Sequence, residues 1–213
     1  SVCFICGPAG CGKSQYINQI REDSPADVII IRLPCSKASS AADVFSEAYK
    51  EFSRVCGNRF FYSENDFASL LNSRRVVLIF DGMDEIATTE NKRRLIAKAE
   101  EFGKANKGNV TLTFTSRNLA DAALIAIDGK NVRRFRLENL SEDETNKLLT
   151  NLFICFRKED KTADFFIKAK DLDDEIRSNP LLLSQLAIIY DNNGDIPKTL
   201  VGIYDTITEI TLK

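Results

Sequence analysis

Short apolar runs alternate with helical patterns over the first two thirds of the chain. Five such runs predict strands, at residues 2–6, 28–31, 76–80, 110–115 and 132–137. Between them, apolar residues recur every three or four positions, as over residues 44–55, which is the spacing of one face of a helix. The run at 76–80 is apolar at every position, as is typical of a parallel strand covered on both faces. The alternation therefore predicts an α/β domain, a parallel sheet flanked by helices.

The pattern after residue 137 is helical. Ser141 and Glu144 have the spacing of a capping box, which predicts the start of a helix. Pro180 opens a second apolar stretch, and proline is common at the first position of a helix. We therefore expect one domain over about residues 1–138, a small all-α domain over 139–198, and the start of a further unit at 199–213.

The composition is that of an ordinary globular chain and excludes several kinds of site. The 213 residues include 29 Lys or Arg and 31 Asp or Glu, so the net charge is −2. This balance gives no electrostatic reason to expect nucleic acid as the main ligand. The chain has no His, which excludes Ser-His-Asp and Cys-His centres and His-bound metals within it. No apolar run approaches the ~18 residues that span a bilayer. The six scattered cysteines are expected to be reduced thiols of a cytoplasmic protein.

Residues 7–14 carry the most specific motif of the chain. They match GxxxxGK followed by Ser or Thr, after a predicted strand and before a helical pattern. Glycines here let the backbone wrap with its N–H groups inward, which forms an anion-binding nest. Lys13 is expected to reach the β- and γ-phosphates of a nucleotide, and the Ser14 hydroxyl to bind Mg²⁺. The candidate phosphate-binding residues are Gly7, Pro8, Ala9, Gly10, Cys11, Gly12, Lys13, Ser14 and Gln15.

Acidic residues follow the third predicted strand. Asp81 comes directly after the apolar run and is expected to hold Mg²⁺ with Ser14, since ligands bind at the carboxyl ends of parallel strands. Hydrolysis also needs an acid that orients the attacking water. Because Gly82 takes the next position, Asp84 and Glu85 are the candidates. The alternative is that these two acids cap the following helix.

The fourth predicted strand ends in Ser116 and Arg117. An arginine at that strand end would touch the γ-phosphate and report which nucleotide is bound. The alternative is a surface salt bridge. Residues 106–109 begin like the NKxD element of GTPases, but they end in Asn and precede a strand. We interpret them as a turn and favour ATP, with GTP left open.

Two basic clusters are interpreted as structural. Residues 92–94, Lys-Arg-Arg, are expected to form a solvated helix face. The arginines at 133, 134 and 136 alternate with Phe135 in the fifth strand. Charges on an edge strand discourage aggregation, so this pattern predicts a sheet edge.

Several motifs together resemble the NACHT domains of STAND-class P-loop NTPases, which are related to NOD-like receptors and bacterial antiphage proteins. Residues 81–85 have a small residue after the first Asp, as these domains do, and residues 112–117 resemble their sensor strand. Residues 137–144 resemble the entry to their helical domain, and 179–183 their proline motif. Residues 196–204 resemble the element that leads into a winged helix, so the resemblance covers almost the whole chain.

The resemblance implies an ASCE-type P-loop fold, with a five-stranded sheet in the order 5-1-4-3-2, a helical domain, and the beginning of a winged-helix domain at 199–213. It also implies that Pro180 packs on the adenine. The implied function is an ATPase switch with Mg²⁺, inactive with ADP and self-associating with ATP, in innate immune or antiphage defence. An N-terminal effector and a C-terminal sensor would be its partners in a longer protein. Direct binding of nucleic acid or membrane is not expected.

Two rival functions stay open. An AAA+-type DNA-associated ATPase or loader would carry basic DNA-facing loops and normally an acid at position 82, where this chain has Gly. A scaffold that binds nucleotide without hydrolysing it would not need Asp81, Asp84 and Glu85 together. We therefore favour a slow ATPase, with weak turnover expected from this chain by itself.

Replacing Lys13 with Ala is predicted to abolish nucleotide binding, because the ammonium group supplies the charge that the loop directs at the phosphates. Nucleotide released by denaturing the purified chain would be identified by mass spectrometry, and ATP affinity measured by titration. ADP that co-purifies with the wild type and is lost in the variant would place the site at this loop, and its absence from the wild type would show that further segments are needed to retain it. Equal ATP affinity in the two forms would place the site elsewhere.

Overall fold

The chain divides into two compact units. A computed structural model describes residues 1–57, 62–106, 109–125 and 132–212. The first unit comprises residues 1–7 and 13–137, and the second comprises 8–12 and 138–213. The turn predicted at 106–109 includes residues 107 and 108, which lie outside the described residues. The predicted domain limits at 138 and 198 stay predictions.

The first unit is built on a five-stranded parallel sheet. Its strands are β1 (Val2–Cys6), β2 (Val28–Pro34), β3 (Arg75–Asp81), β4 (Val110–Ser116) and β5 (Val132–Arg136). They lie in the order β2-β3-β4-β1-β5, and every neighbouring pair is parallel. From the β5 edge this is the predicted order 5-1-4-3-2. The predicted α/β fold class is confirmed.

The centre of this sheet is an apolar core. Phe4, Leu78, Phe80 and Phe114 are fully buried or nearly so. The rings of Phe80 on β3 and Phe114 on β4 stack with their centroids 4.9 Å apart. Burying a side chain of this size stabilises the fold by roughly 1.5–3 kcal/mol. The outermost strands are β2 and β5, and the exposed arginines of β5 lie at a sheet edge, as predicted.

Helices flank the sheet in the first unit. They are α1 (Lys13–Asp23), α2 (Cys35–Ser40), α3 (Val44–Cys56), α4 (Glu64–Ser73), α5 (Thr89–Ala105) and α6 (Asp121–Leu124). A 3₁₀ turn, Met83–Glu85, follows β3. Helix α3 packs against β2, and α5 packs against β4. Helices α2, α4 and α6 are additions to the predicted elements.

Helix α4 has a clear local cause that the apolar spacing does not reveal. Ser63 and Asp66 form a capping box at its start. The ring of Phe67 in its first turns is fully buried. Around it lie the α3 rings of Phe45, Tyr49 and Phe52. The aromatic cluster joins α4 to α3, which packs against β2.

The second unit is helical over residues 138–212. Its helices are α7 (Glu142–Phe156), α8 (Thr162–Ala169), α9 (Asp174–Ser178), α10 (Pro180–Asn193) and α11 (Leu200–Thr211). The capping box predicted at Ser141 is present, with Glu144 accepting from the Ser141 N–H at 2.8 Å. Of the helices in the described ranges, none is long and apolar enough to cross a membrane.

Aromatic edges hold the helices of the second unit together. The rings of Phe153, Phe165 and Tyr190 meet edge to face, with centroids 5.4–6.0 Å apart. The Tyr190 hydroxyl donates to Asp164, and this bond raises the pKa of Tyr190 to about 12. Ile203 of α11 is fully buried in the same core. The start of the predicted third unit therefore packs within the second compact unit.

The basic cluster at 92–94 is only in part the solvated helix face that we expected. Lys92 Nζ lies 2.8 Å from Asp121 Oδ1, and the side chains are only 13% and 5% exposed. The other oxygen of Asp121 accepts a hydrogen bond of 2.6 Å from Ser116 Oγ. This ion pair connects α5 to α6 near the end of β4. Local charge patterning did not predict it because the two charges lie on different helices.

Replacing Lys92 with Met should destabilise the fold by about 3 kcal/mol, because removing one partner leaves a buried charge uncompensated. Arg93→Met is the matched control, since Arg93 is exposed on the same helix, and its effect should stay within about 0.5 kcal/mol. Urea unfolding of the two variants measures the difference. Equal losses of stability in the two variants would show that the Lys92–Asp121 ion pair does not stabilise the fold.

Candidate functional site

The predicted site residues of the first unit lie at one edge of the sheet. Strand β1 ends just before Gly7, β3 ends at Asp81, and β4 ends at Ser116. Because all five strands are parallel, their carboxyl ends meet at the same edge, where open α/β sheets bind ligands. Strand β4 separates β1 from β3. The phosphate loop after β1 and the acids after β3 therefore lie at the same edge of the sheet, one strand apart.

The loop after β1 has the backbone that its glycines predict. Gly10 has φ +75° and Gly12 has φ +96°, which are left-handed values that favour glycine. Lys13 begins α1, and its Nζ donates to the Gly7 carbonyl at 2.6 Å. The lysine side chain therefore folds back over the end of β1. Ser14 and Gln15 follow on α1 and are exposed.

Asn179 orders the middle of the loop within the second unit. Its Nδ2 donates to the Ala9 carbonyl at 2.8 Å, and its Oδ1 accepts from the Leu181 N–H at 3.1 Å. The Leu181 N–H also reaches the Gly10 carbonyl at 3.3 Å. A Cβ at Gly10 would lie 2.5 Å from the Asn179 oxygen, so this close approach requires glycine. The proline motif predicted a role for Pro180 and none for Asn179, the residue before it.

A cleft of about 910 Å³ lies beside this contact in the second unit. Its lining includes Ala9 and Gly10 of the loop, Leu182 of α10 and Tyr204 of α11. Pro180 is the first residue of α10 and is half-buried. Its predicted contact with a base stays a prediction.

Asp81 is held by a buried threonine. Thr115 Oγ1 donates to Asp81 Oδ1 at 2.5 Å, and it accepts from the Gly82 N–H at 2.9 Å. Thr115 is 1% exposed, so its hydroxyl has no competing water. The two bonds fix the direction of the carboxylate at the end of β3. The contact of Thr115 with Asp81 was not predicted, because a threonine within a strand pattern has no distinctive spacing.

Arg32 bridges the two predicted metal ligands. Its Nε lies 3.0 Å from Asp81 Oδ2, its Nη2 donates to the same oxygen, and Nη2 lies 3.2 Å from Ser14 Oγ. Ser14 and Asp81, which are far apart in sequence, are therefore neighbours. Hydroxyl and carboxylate oxygens are the donors that Mg²⁺ prefers, so the residues fit this metal. The signal available in the sequence was a charged residue within the apolar run of β2.

The two acids after Gly82 do not cap the next helix. Thr88 caps α5, accepting from the Asn91 N–H at 3.2 Å. Asp84 instead accepts from the Arg117 N–H at 2.9 Å and lies 3.3 Å from Arg117 Nε. The structure thus brings together two residues for which separate functions were predicted. Glu85 is exposed.

Gly82 has a conformation that disfavours an acidic side chain. Its φ is +83°, and a Cβ there would lie 2.9 Å from the Glu85 Cδ. A residue other than glycine would be strained at this φ and would meet Glu85. The absence of an acid at position 82 therefore has a local structural cause.

The thiol of Cys35 lies near the carboxylates of this edge. Cys35 follows β2 and is fully buried. Burial raises the pKa of its thiol strongly, and the charges of Asp81, Glu85 and Asp84 raise it further. The thiol stays protonated as a result.

In the described part of the chain, no cluster of three or more Cys, Asp or Glu side chains has the geometry of a metal site.

No protein-family model and no curated protein matches the chain. Among solved structures, a Walker-type ATPase of Pyrococcus abyssi matches 99% of this chain and 67% of its own, with 14% identity and a TM-score of 0.64. Drosophila ORC bound to DNA matches over 99% and 53%, with 12% identity and a TM-score of 0.50. Cdc6p of Pyrobaculum aerophilum matches over 98% and 60%, with 15% identity and a TM-score of 0.49.

These comparisons show the fold. The chain has the fold of P-loop ATPases, by its similarity to the Pyrococcus and Drosophila structures. It spans between about half and two thirds of the length of the proteins that it matches.

Proposed function

We propose that the chain binds and hydrolyses ATP with Mg²⁺. One observation carries this proposal: Ser14, next to the motif lysine, and Asp81, at the end of β3, bond the same guanidinium group. A loop serine and a strand-end acid that meet in this way are the protein ligands that P-loop enzymes place around Mg²⁺. The similarity to a structure described as a Walker-type ATPase supports the same activity.

The phosphates would bind to the loop at residues 7–15. Backbone N–H groups of residues 9–14 would face the phosphate oxygens, and Lys13 would leave the Gly7 carbonyl to reach them. Ser14 and Asp81 would hold Mg²⁺, which supplies positive charge against the charge that develops on the phosphates. Thr115 keeps Asp81 directed at that position.

Asp84 or Glu85 would orient the attacking water, and Arg117 would contact the γ-phosphate. In the structure Arg117 is 59% exposed and pairs with Asp84. An exposed pair of this kind costs little to separate. A γ-phosphate that draws the Arg117 side chain away would therefore free Asp84 Oδ2 for the water, while Oδ1 keeps its bond from the Arg117 N–H. Pro180 would contact the base.

The double variant Asp84→Asn with Glu85→Gln should slow hydrolysis by about 10²–10⁴-fold, because a general base contributes that much. ATP affinity should change far less. Phosphate release and equilibrium binding are measured on the same preparations, with Glu90→Gln, an exposed acid of α5, as the control. Wild-type turnover in the double variant would show that neither Asp84 nor Glu85 takes part in hydrolysis. Tight MgATP binding without turnover in the wild type would favour the scaffold.

The finer function that we propose is a cytoplasmic nucleotide switch of the NACHT type, inactive with ADP and self-associating with ATP. The motifs at 81–85, 112–117 and 179–183 support it. Effector and sensor domains, and a part in innate immune or antiphage defence, belong to this proposal. The positive φ of Gly82, which favours glycine, agrees with the NACHT pattern rather than with an acid at that position.

The second candidate is a DNA-associated ATPase. The similarity to Drosophila ORC, described as bound to DNA, favours it at the level of fold. Strand β5 adds exposed arginines at positions 133, 134 and 136 along a sheet edge. Arginines of this kind bind DNA phosphates without reading sequence.

The two candidates differ in what ATP does to the chain. For the switch, mass photometry should show larger assemblies with ATP than with ADP, and fluorescence anisotropy no binding to duplex DNA at ~0.15 M salt. DNA binding that falls steeply with salt, and that is weakened by Arg134→Gln with Arg136→Gln, would favour the second candidate.

A further inference from the structure

The guanidinium group of Arg32 lies where two oxygens of different elements converge. It contacts Asp81 Oδ2 through Nε at 3.0 Å and through Nη2, and it contacts Ser14 Oγ at 3.2 Å. The Arg32 side chain is 38% exposed and that of Asp81 is 20% exposed. Two nitrogens of one planar group donate to the same carboxylate oxygen, which gives the contact a defined geometry.

The register of the sheet brings this arginine to the site. Arg32 pairs with Ile79 and Pro34 pairs with Asp81, so that Arg32 lies two residues before the position opposite Asp81. Side chains two residues apart share a face of the sheet, about 6.6 Å apart along a parallel strand. Arginine is long enough to cover that distance and place its charge at the strand end. A lysine would reach as far but could not bond both oxygens in a fixed plane.

Arg32 also has room to withdraw. It lines a pocket of about 540 Å³ beside β2, together with Arg21 on α1 and Glu47 and Glu51 on α3. The carboxylates of α3 lie within this pocket and are bound to Lys50 and Arg54. A guanidinium group that leaves Asp81 therefore finds space on the same side of the strand, beside two acids that already have cations of their own.

We propose that Arg32 is a built-in cation that competes with the divalent metal for Ser14 and Asp81. With Arg32 in place, the charge of Asp81 is compensated and the Ser14 hydroxyl is occupied. A divalent cation gains these oxygens only when the guanidinium group withdraws toward the pocket. The competition makes metal binding weaker and makes metal-free ADP binding stronger, because Asp81 then repels the phosphates less. This inference rests on the proposed nucleotide site.

The test replaces Arg32 with Met and measures two affinities that should move in opposite directions. Mn²⁺ binding to the chain with ADP, the protein in excess, is followed by the electron paramagnetic resonance of free Mn²⁺. ADP binding without metal is followed in EDTA with a fluorescent ADP analogue. Losing one charge-assisted bond should tighten Mn²⁺ binding about tenfold. It should weaken ADP binding in EDTA by about tenfold, because the uncompensated charge of Asp81 then repels the phosphates.

Two further variants separate competition from other effects. Arg21→Met removes a charge from the same pocket without touching either oxygen, and it should match the wild type in both measurements. Arg32→Lys keeps the charge but loses the planar group that bonds Asp81 and Ser14 together, and it should lie between wild type and Arg32→Met. It also serves if thermal melting shows that Arg32→Met is unfolded.

The results distinguish a failure of the proposed competition from a failure of the proposed nucleotide site. If ADP binds and Arg32→Met leaves Mn²⁺ affinity unchanged, or if both affinities fall together, the competition is wrong and the nucleotide site stands. An equal effect of Arg21→Met would also overturn it, since general charge would then explain the result. If no form binds ADP with or without metal, the proposed function itself fails.

Discussion

The carboxylate of Asp81 is the group that ties together the functional edge of the sheet. It ends β3, accepts from Thr115 on β4, and accepts from Arg32 on β2. The same guanidinium group reaches Ser14 on α1. The apolar core places the strands, but it does not direct a charged side chain, and hydrogen bonds from neighbouring strands must do so. This is possible because parallel strands bring their carboxyl ends to one edge.

Three acids at this edge are each paired with a cation from another element, and burial separates the pairs into two kinds. Lys92 and Asp121 are almost fully buried, so their pairing is a condition of the fold. Arg32 with Asp81, and Arg117 with Asp84, are partly exposed and can exchange partners at low cost. The fold thus keeps a permanent ion pair beside two exchangeable ones. The proposed binding of phosphates and a metal needs exchangeable charges of this kind.

The apolar pattern was sufficient to predict the α/β fold class and the five strands, because strands apolar on both faces are buried in a parallel sheet. The order of the strands came from the resemblance of the motifs and is confirmed. Helices α2, α4 and α6 were not predicted because they are short, with six, ten and four residues, and have too few turns to repeat an apolar spacing. The solvated face expected at residues 92–94 was wrong for Lys92. Its partner lies 29 residues further along the chain.

What the sequence by itself determined is what neighbouring residues encode: the glycines of the loop, the acid after β3, the arginine after β4, and the capping box at Ser141. Only the tertiary structure decided which side chains meet. Arg32 contacts Asp81 across 49 positions, and Asn179 contacts the loop across 170. These contacts depend on strand order, register and the packing of helices within each unit. No local pattern carries them, because the chain brings the partners together only when it folds.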